Sequence, residues 1–194
     1  MKSTILGAAA SALFLCATAS ISADGSTIGP GPSPAELQRL VDMEELRQLH
    51  LDYAAAQETL DLDRLMALFT DDVVLEYPAE YGGTWGGGRE GIRRNFEAAM
   101  KSERLPFNAL YVLTNPQIHI TGPNTAHGRW TFTNYLTAQS EGDAYTTVGG
   151  PNQPIYLLGM YEDEYRKVDG RWKIARLKLT LFWPTRNYTG LAHP

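Results

Sequence analysis

Four histidines, one cysteine and a scatter of carboxylates are the side chains here that could move a proton, bind a metal or attack a substrate. Cys16 lies in an apolar N-terminal run, so loss of that run would leave no thiol for nucleophilic or thiolate–metal chemistry. No pair among His50, His119, His127 and His193 has metal-ligand spacing with a carboxylate, so no metal is expected. His119 alternates away from Leu110, Val112, Ile118 and Ile120, and His127 shares a polar face with Arg129, Thr131 and Thr133; both are expected to face outward. His193 is in the tail. His50 falls one helical turn before Tyr53, which permits a surface position, a core position or an approach to a pocket mouth. Asp61, Asp71 and Asp72 read as helix-end and turn carboxylates, with Asp61 the best placed for a pocket contact. Asn134 is the odd polar residue on the strand face that carries Trp130, Phe132 and Leu136. A buried amide needs partners, and a ligand oxygen, a backbone group or water would serve.

These residues must be positioned by helices first and strands afterwards. Ser33 reads as an N-cap with Pro34 at the first helical position and Glu36 in the first turn. Leu37, Leu40, Val41, Leu46, Leu49, Tyr53 and Ala56 then form one apolar stripe on a helix running to about Thr59. A short helix is expected over 63–69, a strand over 73–77 and a third helix over 89–102, with Ile92, Phe96 and Met100 on one face. The glycine-rich stretch 78–88 around Trp85 is a loop, either a lid or plain surface. It is not a phosphate loop, because no Lys-Ser/Thr follows. Leu110, Val112, Ile118 and Ile120 alternate as in a half-buried strand. Gly122-Pro123-Asn124 makes a turn, 125–139 a second strand, 140–154 a long polar loop and 155–168 a third strand. Asp169-Gly170 makes a tight hairpin turn into a last strand over 171–183. Helices followed by long antiparallel strands predict a curved sheet wrapping a helix around a pocket for one small apolar molecule.

Bulk properties narrow the partners. Lys2 followed by the apolar run 5–19 reads as a cleavable signal peptide over 1–23, too short to span a bilayer comfortably, which predicts a secreted or periplasmic protein. A lipid-anchored Cys16 is disfavoured by the bulky Leu15 before it. Residues 24–34 form a Gly/Ser/Pro-rich flexible linker, 35–184 a single domain and 185–194 a tail. With a net charge of -5 and no basic run, neither nucleic acid nor a membrane is an expected partner of the mature chain. Asn187-Tyr188-Thr189 fits the N-glycosylation pattern, which matters only in a eukaryotic source.

The chain resembles the SnoaL-like group of the nuclear-transport-factor-2-like superfamily. The residues that carry the resemblance are Leu49-His50-Leu51-Asp52-Tyr53, the run 61–72 from Asp61 to Asp72, Gly88-Arg89-Glu90-Gly91-Ile92 and Thr114-Asn115-Pro116-Gln117-Ile118. Gly159-Met160-Tyr161-Glu162-Asp163-Glu164-Tyr165 and the run 170–176 from Gly170 to Arg176 complete it. It spans nearly all of 36–183. It implies an α+β fold: a cone-shaped α+β barrel, with a strongly curved, mostly antiparallel sheet wrapped on three N-terminal helices around an apolar cavity. Relatives include scytalone dehydratase, bile-acid dehydratases, polyketide cyclases and ketosteroid isomerases, many of them dimers or higher oligomers through the open sheet face. A homo-oligomer, dimer or trimer, is therefore expected here.

In the dehydratase-like relatives a Tyr on the first helix is followed five residues later by an Asp, both facing the cavity. Tyr53 matches, and Glu58 stands where the Asp would be. A carboxylate in an apolar cavity holds its proton to higher pH and can exchange it near neutrality. The catalytic His that relatives carry just before the Asn-Pro pair is absent; the stretch reads Leu110-Tyr111-Val112-Leu113, and Tyr111 offers a hydroxyl instead. Arg176 shares a strand face with Trp172 and Ile174, and relatives place an Arg near here either in the pocket or in an outer salt bridge. The resemblance thus implies a cofactor-independent lyase or isomerase acting on a small hydrophobic, polyketide-like or steroid-like molecule. Tyr53 would polarise an oxygen, Glu58 would move the proton, and Asn134, Tyr111, Arg176, Trp130 and Asp61 would line the substrate. The missing His and the Asp-to-Glu exchange also fit a non-catalytic small-molecule binding or accessory protein.

Overall fold

A computed structural model describes residues 31–79, 82–101, 108–139, 145–147, 150–151 and 155–183. The expected signal peptide, most of the linker, the C-terminal tail and Asn187 lie outside the described residues.

The long helix α1 (Pro34–Glu58) begins where its capping chemistry says it should. Ser33 Oγ accepts from the Glu36 amide at 3.3 Å, while the Glu36 carboxylate accepts from the Ser33 amide at 2.7 Å. Thr59 ends it by donating from its hydroxyl to the Ala55 carbonyl at 2.9 Å, and Leu60 follows at φ 56°. Asp61 then accepts from the Arg64 amide at 3.0 Å and caps α2 (Leu62–Ala67). The strand β1 (Phe69–Glu76) starts four residues before the stretch expected from sequence, so Asp71 and Asp72 are strand residues. They pair with Arg89 and Arg166. After the two-residue strand β2 (Thr84–Trp85) comes α3 (Gly88–Lys101). Gly88 sits at φ +61° with a Cβ position only 2.3 Å from the Asp71 carbonyl, so only glycine can open this helix against β1.

The remaining long strands are β3 (Asn108–Gly122), β4 (Thr125–Gln139), β7 (Ile155–Val168) and β8 (Arg171–Trp183). Within the stretch expected to be loop, β5 (Tyr145–Thr147) and β6 (Gly150–Pro151) pair with each other, and β5 pairs with the end of β4. The main sheet runs β2-β1-β8-β7-β4-β3, antiparallel throughout except for the parallel β1–β8 pair. The molecule is thus the expected cone-shaped α+β barrel, a curved, mostly antiparallel sheet closing on the helices. Leu46, Leu49, Tyr53 and Ala56 of α1 pack into it against Phe69, Leu75, Phe132, Ile174 and Leu181.

Three sequence expectations are corrected by register and reach. The β3–β4 pairing shifts between Thr114 and Gln117, where Asn115 has φ 52°. The one extra residue reverses the alternation, so Ile118 is buried while Leu110 is 56% and Val112 40% exposed; Tyr111 and Leu113 take the inward phase instead. On β8, Ile174 faces Tyr165 but Arg176 faces Glu164, a bulge at Ala175 that turns Arg176 off the face of Trp172 and Ile174. Leu37, Leu40 and Val41 belong to the sequence stripe yet are exposed. The packed part of α1 begins at Asp42, which accepts from Trp172 Nε1 at 3.1 Å and pairs with Lys167.

Candidate functional site

α1 presents His50, Tyr53 and Gln57 at three- and four-residue steps, which places them on one helix face. That face is buried against inward residues of four strands. Tyr53 Oη lies 3.5 Å from Tyr77 Oη, just past the end of β1. Tyr111 of β3 donates its hydroxyl to Gln57 Oε1 at 3.0 Å, and its backbone amide donates to Glu58 Oε1 at 2.7 Å. Asn134 of β4 hydrogen-bonds the Tyr161 hydroxyl of β7. Two amides and four phenols therefore converge where aliphatic side chains would pack more cheaply.

The phenols are strongly perturbed. Burial pushes Tyr53 and Tyr161 well above the ordinary tyrosine range, and neighbouring phenols add to the shift. Burial raises Tyr77 to about 12 and moves Tyr111 upward too, helped there by the charges of Tyr77 and Glu58. All four therefore stay protonated at physiological pH and act as hydroxyl donors and acceptors. Gln57 Nε2 and Asn134 Oδ1 are buried with no hydrogen-bond partner among the described residues. The cluster is graded in depth: Tyr53, Gln57, Asn134 and Tyr161 are buried, whereas Glu58, Tyr77 and Tyr111 are half-buried. Trp85, from the glycine-rich loop, packs edge-on against Tyr77 at 4.7 Å and Phe96 at 5.4 Å, which closes the wall beside Tyr77.

A second polar network adjoins the first. Trp130 Nε1 donates to Tyr165 Oη at 3.0 Å, and Tyr165 donates to Asp163 Oδ2 at 2.7 Å. The same carboxylate oxygen lies 3.2 Å from His50 Nδ1, and both side chains have no solvent exposure. His50 stacks on Trp130 with ring centres 4.6 Å apart and planes 7° from parallel, and meets Tyr161 edge-on at 5.2 Å. Of the alternatives for His50, the core position is the one found.

The sequence-derived candidates divide accordingly. Tyr53, Asn134, Tyr111 and Glu58 are brought together, and Trp130 lies behind them against His50. Arg176 sits in an outer ion-pair group with Glu76 at 2.8 Å and Glu164 at 3.0 Å, and Asp61 is the α2 cap. His119 and His127 are exposed, paired across β3 and β4. Sequence reasoning missed Gln57, Tyr77, Tyr161 and Asp163. A signal existed for the last: Asp163 alternates with Tyr161 and Tyr165, an acidic residue in the buried phase of a strand. No group of three or more His, Cys, Asp or Glu among the described residues could hold a metal ion.

Residues 38–178 match the model of the SnoaL-like domain, so the chain belongs to that family. Among solved structures, it is similar to hexachlorocyclohexane dehydrochlorinase LinA-type3 from Novosphingobium barchaimii LL02. The TM-score is 0.61 at 22% identity, covering 76% of this chain and 90% of that one. A candidate scytalone dehydratase from Novosphingobium aromaticivorans DSM 12444 aligns with TM-score 0.60 at 23% identity, over 74% of this chain and 85% of that one. A protein of unknown function from Mycobacterium tuberculosis aligns with TM-score 0.60 at 21% identity, over 77% of this chain and 76% of that one. No curated protein sequence matches the chain. At these identities the structural likeness speaks to fold.

Proposed function

We propose that the tyrosine-lined interior is a binding and reaction site for one small, largely apolar molecule bearing an oxygen or halogen, and that the protein is a cofactor-independent lyase or isomerase. One observation carries this reading: buried amide atoms of Gln57 and Asn134 lack partners among the described residues, beside four perturbed phenols. Buried polar atoms are almost always satisfied, so these atoms are available to the polar group of a ligand. A ligand oxygen among hydroxyl donors would have its developing negative charge stabilised as it reacts. Tyr53 is the donor most enclosed by the cluster, and Glu58, at the half-buried end, is the sequence candidate for moving the proton. The likeness to a dehydrochlorinase and a candidate dehydratase, in both of which an elimination is named, supports the same class. The N-terminal run supports export, and the mature protein would then act outside the cytoplasm.

The test is turnover on a panel of hydroxylated aromatic and steroid-like compounds and hexachlorocyclohexane, comparing wild type with Glu58→Gln, alongside native mass spectrometry for a co-purifying ligand. Turnover by the wild type supports the lyase or isomerase; absence of both turnover and ligand retention refutes the site. Retention of a ligand without turnover supports a second reading, a non-catalytic carrier. That reading is favoured by the engagement of Glu58 Oε1 with the Tyr111 amide at 2.7 Å, which ties one of the two carboxylate oxygens to the backbone.

A further inference from the structure

We propose that His50, oriented by Asp163, is the proton-transfer residue of this interior, in place of Glu58. The inference rests on the proposed reaction site and deepens it.

His50 is wholly buried, and within its reach the titratable groups are Asp163 of β7 and the phenols of Tyr53 and Tyr161. Asp163 approaches one ring nitrogen only. Its Oδ2 stands 3.2 Å from Nδ1 and is itself held by Tyr165, which is held in turn by Trp130. A carboxylate oxygen beside that nitrogen favours, by charge attraction, the tautomer with hydrogen on Nδ1, which leaves Nε2 as a lone pair. Neither ring nitrogen makes a hydrogen bond among the described residues; the ring is held by its proximity to Asp163 on the Nδ1 side and by stacking on Trp130. A fully buried imidazole with an unused basic nitrogen is costly for a purely structural residue, whereas a general base needs that arrangement. Tyr53, one turn further along α1 with ring centres 5.6 Å away, lies between His50 and the Gln57 end of the cluster.

The step balances without any co-reactant. Nε2 takes a proton from the carbon next to the one bearing a hydroxyl or chloride, the C–H pair becomes the new π bond, and the C–O or C–Cl bond breaks. A departing hydroxide takes the proton back from Nε2 as water, and a departing chloride leaves as the ion while the proton passes to solvent. His50 ends as it began.

The experiment combines 15N-histidine NMR with kinetics on the panel above, using wild type, His50→Gln, Asp163→Asn and Glu58→Gln. The expected spectrum shows His50 protonated on Nδ1 in the wild type and redistributed between tautomers in Asp163→Asn. Turnover is expected to fall on the order of 100-fold or more in kcat in His50→Gln, with KM changed little, the usual size of a lost general base; Glu58→Gln is expected to fall less. A wild-type His50 carrying its hydrogen on Nε2 overturns the proposal, as does a kcat within about threefold of wild type in His50→Gln. Turnover that survives in His50→Gln refutes this assignment alone, whereas a wild type that turns over nothing and holds no ligand refutes the reaction site and this assignment with it. Should His50→Gln fail to fold, the tautomer shift and kcat loss in Asp163→Asn decide the matter.

Discussion

Asp42 sets the height at which α1 lies on the sheet, and its removal is the most informative perturbation of the fold around the site. Its carboxylate is buried, pairs with Lys167 of β7 and accepts from Trp172 Nε1 of β8 at 3.1 Å and from Gln38 Nε2 at 3.2 Å. Lys167 also lies over the Trp172 ring at 4.9 Å. Eight residues separate Asp42 from His50, roughly 12 Å along the helix, so this clamp and the polar cluster are rigidly linked. Asp42→Ala strands a nearly buried ammonium and an indole N–H, which costs roughly 3–5 kcal/mol for a broken buried pair. For a body of this size each kcal/mol moves Tm by roughly 2–4 °C, so a drop of about 6–20 °C is expected by calorimetry or circular dichroism. Asp42→Ala combined with Lys167→Met should recover more than about 1 kcal/mol, because the stranded charge is gone. The pH dependence has a definite sign. Burial favours the protonated acid, but the bonds from Lys167, Trp172 and Gln38 outweigh it and hold the carboxyl below its ordinary 3.8. A folded pKa below the unfolded one contributes stability above pH 3.8, and that contribution disappears as the pH falls through the lowered value. The gap between wild type and Asp42→Ala should therefore narrow below pH 3.8. A Tm loss under about 2 °C at neutral pH, or a gap that widens in acid, refutes the clamp.

Three further outcomes follow from the packing of the tyrosines. A Cβ at Gly128 would lie 2.6 Å from the Tyr165 hydroxyl, so Gly128→Ala should cost about 1–3 kcal/mol by denaturant melting and change the near-UV signal of Trp130; an unaltered melt contradicts the packing. Tyr111→Phe removes the 3.0 Å bond to Gln57 and leaves that buried amide without a partner among the described residues, for a loss of about 1–3 kcal/mol; a neutral effect means that another group satisfies Gln57. Alkaline stability tests the phenols. Because Tyr77 rises from 10.0 to about 12, its contribution is intact below pH 10 and is lost between pH 10 and about 12. The slope is about 1.4 kcal/mol per pH unit for each such tyrosine, and a flat unfolding free energy across that window refutes their burial.

Much of the architecture was legible because it rests on local rules. Ser33-Pro34-x-Glu36 announces the start of α1, and the ranges of β4, β7 and β8 coincide with the runs read from alternation and turn residues. The site was legible only in part. Tyr53 and Asn134 betray themselves as polar groups in an apolar phase. Tyr111 does not, because the bulge after Thr114 puts it inward while simple alternation assigns that face to Leu110 and Val112. The bulge at Ala175 likewise takes Arg176 to an outer ion pair, and no residue type marks it.

Sequence alone determined the order of helices and strands, the family and the supply of tyrosines, since capping, periodicity and composition act over a few residues at a time. Tertiary structure decided which of those residues meet. His50 and Asp163 come together only when α1 lies across β7, and Glu58 finds the Tyr111 amide only when β3 turns its inward phase to the end of that helix. A strand's phase is inverted by a single extra residue, and long-range contact depends on that phase, so the chemistry of this interior is a property of register that no local pattern carries.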